Sequence, residues 1–140
     1  MGWFSWAILS AVFAGVTAVL AKIGVEHVDG NLATAIRTTV VLFIVWALFF
    51  ALAPARSLAQ LSPRNWLFLA LSGVATGLSW LCYFHALQLG PASKVAPIDK
   101  LSVFFVIVFA AAFLHEKITW HTWLGGLLIL AGATLLALRA

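Results

Sequence analysis

The sequence predicts an all-α integral membrane protein with five transmembrane helices in a single domain, residues 1–140. Three observations carry this expectation. Hydrophobic residues make up 64% of the chain and charged residues only 9%, with a mean hydropathy of +1.11, far from the roughly 45–50% apolar and 25% charged composition of soluble domains. The apolar residues fall into runs long enough to cross about 30 Å of hydrocarbon, which takes roughly 20 helical residues. Trp3, Trp6, Trp66, Trp120 and Trp123 fall near the ends of those runs, where indole rings favour the headgroup level.

The first span covers residues 3–22. Its uncharged run from Met1 to Ala21 is longer than a signal-peptide core and lacks a clear cleavage site, so it reads as a retained helix ending at Lys22. "VEHVDGN" (25–31) is a polar turn, and the second span follows at 32–53 with one charge, Arg37, near its start. "PARSLAQLSPR" (54–64) holds two prolines and two arginines and breaks the helical pattern. The third span is 66–87. It contains Cys82, a lone thiol with no intrachain disulfide partner, expected to pack as a small hydrophobe. The fifth is 120–138, after the polar "HEKIT".

The fourth span poses a problem, because its uncharged core 101–114 is too short to cross unaided. Two starts are open. Pro97 can be the first helical residue, with Asp99 complementing the helix N-terminus. Alternatively the helix starts at Pro91 and covers 91–114, about 36 Å at 1.5 Å per residue, with Pro97 inside it. Pro97 then leaves the Ser93 carbonyl without its usual partner. Asp99 and Lys100 would lie about 12–14 Å below the helix start, where each charge costs on the order of 2.5–3.5 kcal/mol unless it faces a cavity or a partner. Neighbouring helical positions point about 100° apart, so Asp99 and Lys100 are expected not to neutralise each other. Asp99 is expected to pair with Arg37 or Lys22.

Polar and small residues form stripes. Ser10, Ala14, Thr17, Ala21 and Gly24 share one face of the first span, and Ser72, Thr76, Ser79 and Tyr83 share one face of the third. Gly73 and Gly77 form a GxxxG pair beside the latter. In the fifth span Gly125 and Gly132, with Gly126 and Ala133 beside them, make a seven-residue small seam suited to a partner helix. The expected substrate or ion pathway is Asp99, Lys100, Arg37, Pro97, Ser10, Thr17, Ser72, Thr76, Ser79 and Tyr83. The expected dimer interface is Gly125, Gly126, Gly132 and Ala133.

Enzymatic chemistry has little support. The chain carries no Gly-rich phosphate loop, nucleophile–base pair or paired carboxylates at catalytic spacing. His115 and His121 would point about 120° apart on a continuous helix, which does not suit a metal site with Glu116. His85 reads as a packed or interfacial histidine. No cofactor is expected, and a formal charge of +4 does not argue for nucleic acid. The bilayer is the expected surrounding.

The run "YFHALQLGPASKVAPIDKLSVFFVIVFAAAFLHEKITWHTWLGGLLILAGATLLAL" (83–138) resembles the second half of an EamA-type repeat of the drug/metabolite transporter superfamily. The aromatic before "HALQLGPAS", Glu116 closing the fourth helix and the glycine-bearing fifth helix carry the likeness. Upstream, "AKIG" (21–24) and Arg37 fit the same repeat. The chain departs from many such repeats at Val103 and Phe104, where they place a proline, and it holds one repeat where many members hold two. The resemblance implies one half of an inverted-repeat, ten-helix inner-membrane transporter of a small metabolite working by alternating access, completed by an antiparallel homodimer. Loop charges permit that: Arg56, Arg64 and Lys117 lie on one side and Lys22, Lys94, Lys100 and Arg139 on the other, a near-balance that allows insertion both ways, or dual topology. Two alternatives stay open: a non-transporting or lipid-carrier-handling membrane subunit that packs against a larger partner, and a small multidrug exporter. The exporter type relies on a membrane-embedded Glu in its first helix, and residues 3–21 contain no acid.

Overall fold

The computed structural model describes residues 2–53 and 60–138, so Arg56 and Arg139, which enter the charge balance, lie outside the described residues. The described residues form helices α1 (Trp3–Gly24), α2 (Gly30–Leu52), α3 (Pro63–Leu89), α4 (Ala92–Asp99), α5 (Ser102–Phe113) and α6 (Trp120–Leu138), with no strand among them. α4 and α5 run on as one span, Ala92–Phe113, so five segments are long and apolar enough to cross a membrane. The protein is a multi-pass membrane protein, and its spans carry their apolar side chains outward: Leu20, Phe43, Leu69, Val106 and Leu128 are all more than half exposed. In water such a surface would cost about 25 cal/mol per Å²; in lipid it costs nothing of the kind.

Local chemistry sets the boundaries. Asp29 caps α2, its Oδ1 accepting from the backbone N–H groups of Asn31 (2.9 Å) and Leu32 (3.1 Å), a standard use of a short acid at the N-cap. α3 starts with Pro63 at its first position, where the missing N–H costs nothing, and Ser62 Oγ accepts from the Asn65 N–H at 3.2 Å. α5 ends where His115 takes a left-handed φ of 54°, which lets the Glu116 N–H reach back to the Ala110 carbonyl at 3.2 Å. Glu116 therefore does close the fourth span, through its backbone.

The chain divides into two compact units, residues 1–22 with 89–140, and residues 23–88. In the first unit α6 packs on both α4 and α5. Gly126 and Ala133 are buried there. A Cβ at Gly126 would stand 2.7 Å from Cδ1 of Ile107, and Phe104 meets Trp123 edge-on at 6.3 Å. Lys22, at the end of α1, donates from Nζ to the Gly90 carbonyl at 3.0 Å, tying α1 to the turn ahead of α4. In the second unit long side chains bridge α2 and α3. Gln88 donates from Nε2 to the Val28 carbonyl at 2.7 Å and packs so closely on Gly30 that a Cβ there would sit 2.8 Å from its Oε1. Cys82 is exposed, which corrects the expectation of a packed thiol: α3 turns the opposite side, with Phe84 and Leu87, into its contacts.

Candidate functional site

Arg37 is the charge set deepest in the second unit. It lies seven residues into α2, about 10 Å along the helix axis. Its guanidinium carbon sits 4.2 Å from the ring centroid of Trp80 and 5.6 Å from that of Phe84, both on α3. An arginine over an indole gains about 0.5–1 kcal/mol at an exposed site and about 2 kcal/mol when desolvated. Tyr83 is within electrostatic reach of the same cation. Arg37 and Tyr83, expected on one pathway, are thus near each other, and the seat that holds Arg37 is aromatic.

On the neighbouring side of the α2/α3 pair an open groove of about 440 Å³ is lined by Asn31, Thr34, Ala35, Thr38, Thr39, Leu42, Gly77 and Leu81. Its hydroxyls are already engaged as donors: Thr34 to Gly30 O (2.7 Å), Thr38 to Thr34 O (2.7 Å) and Thr39 to Ala35 O (3.0 Å). Such back-bonding satisfies a hydroxyl inside a membrane helix and leaves its lone pairs as acceptors. Gly77 supplies the room, with nothing within 4 Å of a Cβ built on it. The pathway expected from the sequence includes neither these threonines nor Trp80. The four-residue spacing of Thr34 and Thr38 was the available signal, whereas the Trp80 seat depends on how two helices pair.

In the first unit the fourth span is broken at its charges. Pro91 stands at the N-cap of α4, Pro97 lies inside it, and α4 ends at Asp99. The next N–H groups bond three residues back, Lys100 to Pro97 O (3.1 Å) and Leu101 to Ile98 O (3.0 Å). This 3₁₀-like stretch, of the kind found at hinges within helices, separates α4 from α5, and Val103 and Phe104 also bond three residues back, to Lys100 O and Leu101 O at 3.0 Å each. Lys100 Nζ lies 3.2 Å from Asp99 Oδ2. The expectation that these neighbours do not neutralise each other is therefore corrected. The side chains diverge on a regular helix, but the turn and the long lysine stem let Nζ fold back. Both remain accessible, Asp99 at 37% and Lys100 at 55%.

The stripes are found on exposed faces. Ser10 on α1 is exposed and Thr17 half-buried, as are Ser72, Thr76 and Ser79 (exposed) and Tyr83 (half-buried) on α3. Thr76 donates to the Ser72 carbonyl at 2.8 Å. Helix arithmetic sets the Ser72–Tyr83 stripe roughly 140° from the α3 face bearing Gly77, Leu81 and Phe84, so α2 does not cover it. In the α6 seam Gly126 and Ala133 are buried within the protomer, while Gly125 and Gly132 have open space beside them. No group of three or more metal-ligating side chains comes together among the described residues.

A family profile described as the EamA-like transporter family matches residues 1–138. An "Uncharacterized transporter in cobO 3'region" of Sinorhizobium sp. is 51% identical over 135 residues, covering 96% of each chain. A "Probable 4-amino-4-deoxy-L-arabinose-phosphoundecaprenol flippase subunit ArnE" of Aeromonas salmonicida is 37% identical over 68 residues, 49% of this chain and 60% of that one. The "Uncharacterized transporter YxxF" of Bacillus subtilis is 26% identical over 136 residues, 96% of this chain but 42% of that one. No solved structure matches the chain. Five membrane spans, an EamA match from end to end and a relative of equal length place this chain in the EamA-like transporter family.

Proposed function

We propose that this chain is half of a secondary transporter that moves a small metabolite by alternating access, and that a second copy in the opposite orientation supplies the other half. The observation that carries the reading is the hydroxyl stripe Ser72, Thr76 and Ser79, exposed on a membrane helix whose neighbour α2 packs elsewhere. Thr76 is back-bonded to the Ser72 carbonyl, but lipid offers the Ser72 and Ser79 hydroxyls no partner, and a cavity between two halves does. The relative lengths agree: the chain spans 42% of one related transporter and 96% of another, as one repeat would against a double and a single form. Transporters built of inverted repeats hold substrate between their halves, beside broken helices, and the turn at Lys100 and Leu101 is such a break. The test is uptake by proteoliposomes holding only this chain, with a crosslink between cysteines placed at Ser72 and Ser79 of two copies. Solute uptake with a dimer band supports the reading; a protein that stays monomeric in the bilayer defeats it.

The similarity to ArnE supports a second reading. That protein is named a flippase subunit, and a chain of this kind would pack its open faces against a different protein and handle a lipid-linked sugar. Co-purification of a second membrane protein in stoichiometric amount, with no self-crosslink, favours it.

A further inference from the structure

Arginine stays charged in proteins and brings five N–H donors in one plane. Inside a span it is costly, up to about 2.5–3.5 kcal/mol at the centre and less toward the ends, so a structural arginine is ordinarily held by a carboxylate or by carbonyls. Arg37 is not. Among the described residues its guanidinium makes no hydrogen bond and no ion pair, and its contacts are the faces of Trp80 and Phe84 with Tyr83 nearby. Aromatic faces fix the position of the cation without neutralising it. A guanidinium held over an aromatic face has no acceptor there for its N–H groups, and its fork of donors is matched by a phosphate or carboxylate taken bidentately.

Polar residues lie next to this seat. Trp80 lies about 60° from Tyr83 around α3, and Tyr83 belongs to the stripe with Ser72, Thr76 and Ser79. We propose that Arg37, seated on Trp80, is the anion-recognition point of the substrate path, and that the transported molecule carries a phosphate or carboxylate group. This rests on the transporter reading for its cargo, but the site itself is defined by Arg37 and its seat. A lipid headgroup offers the same phosphate chemistry, so the experiment separates the two sources.

The purified protein in phosphatidylcholine nanodiscs is titrated with hexyl phosphate and, as control, with hexyltrimethylammonium. Hexyl phosphate binds the wild type, and its affinity falls about tenfold or more in Arg37→Gln, the loss of a charge-assisted hydrogen-bonded contact. Arg37→Lys keeps the charge and loses the fork and the stack, so affinity falls less. Trp80→Phe weakens binding several-fold. Equal affinity in wild type and Arg37→Gln, or no hexyl phosphate binding to the wild type, overturns the proposal. If Arg37→Gln does not fold, unchanged affinity in both Arg37→Lys and Trp80→Phe overturns it equally. The lipid arm uses phosphatidylglycerol nanodiscs and counts retained lipid by native mass spectrometry. Retention that drops in Arg37→Gln while hexyl phosphate affinity does not move assigns Arg37 to the headgroups and defeats the proposal. Proteoliposome uptake separates this from the transporter reading: Arg37-dependent binding with no solute uptake keeps the anion site and removes the transporter, and uptake indifferent to Arg37→Gln does the reverse.

Discussion

Lys100 Nζ meets Asp99 Oδ2 at 3.2 Å where α4 gives way to α5. Two opposite charges at a tight turn inside a membrane span are tolerated only where water, substrate or a partner reaches them, and both side chains are accessible.

Asp99→Asn removes the anion and leaves the lysine without its counter-charge. Uptake by proteoliposomes is expected to be lost or uncoupled from its driving ion, while crosslinked dimer stays at the wild-type level. Lys100→Gln is expected to reduce uptake as well. Asp99 is partly exposed, so little folding stability is at stake, and melting should move little. Normal uptake by Asp99→Asn would remove this turn from the transport path.

Topology is a separate prediction. With Lys and Arg nearly balanced across the two sides, reporters fused after Ala140 should report both sides of the membrane, and two or three lysines added to one terminus should bias the population and reduce uptake. A wild-type population with every reporter on one side sinks the antiparallel arrangement.

The spans were legible because bilayer thickness, indole placement and proline positions constrain them locally. The fifth span, 120–138, and α6 coincide, and of the two starts that the sequence leaves open for the fourth span the structure has Pro91 ahead of a helix containing Pro97. Side-chain partners were less legible. A 100° step per residue argues against an Asp99–Lys100 pair, and only the turn at Lys100 and Leu101, which depends on backbone geometry, brings them together. Likewise nothing in the run around Arg37 announces Trp80, 43 positions away, because the contact exists only once α2 and α3 adopt their register.

The α6 seam can be split by mutation. Gly126 already meets Ile107 within the protomer, whereas Gly125 and Gly132 have open space beside them. Gly126→Leu should overpack the α5/α6 contact and lower protomer stability by about 1–3 kcal/mol, read as a fall in melting temperature in detergent. Gly125→Leu with Gly132→Leu should leave the protomer intact and weaken self-association by about 1–2 kcal/mol, read as a shift in dimer fraction with dilution. Unchanged dimer fraction in the double variant would mean that the two open glycines face lipid.

His115 provides a test of the fold that is independent of transport. Its φ of 54° is left-handed, a conformation that costs an ordinary side chain about 1–2 kcal/mol and glycine nothing. The turn is anchored by the Glu116 N–H on the Ala110 carbonyl, so the conformation is held by the end of α5 rather than by the imidazole. His115→Gly should therefore raise the melting temperature or leave it unchanged with uptake intact, and His115→Asn should resemble wild type. His115→Ile, branched at Cβ, should destabilise by about 1 kcal/mol or more. The order Gly, Asn, Ile from most to least stable is the expected outcome of thermal unfolding in detergent. A wild type more stable than both His115→Gly and His115→Asn would show that the imidazole itself holds the turn.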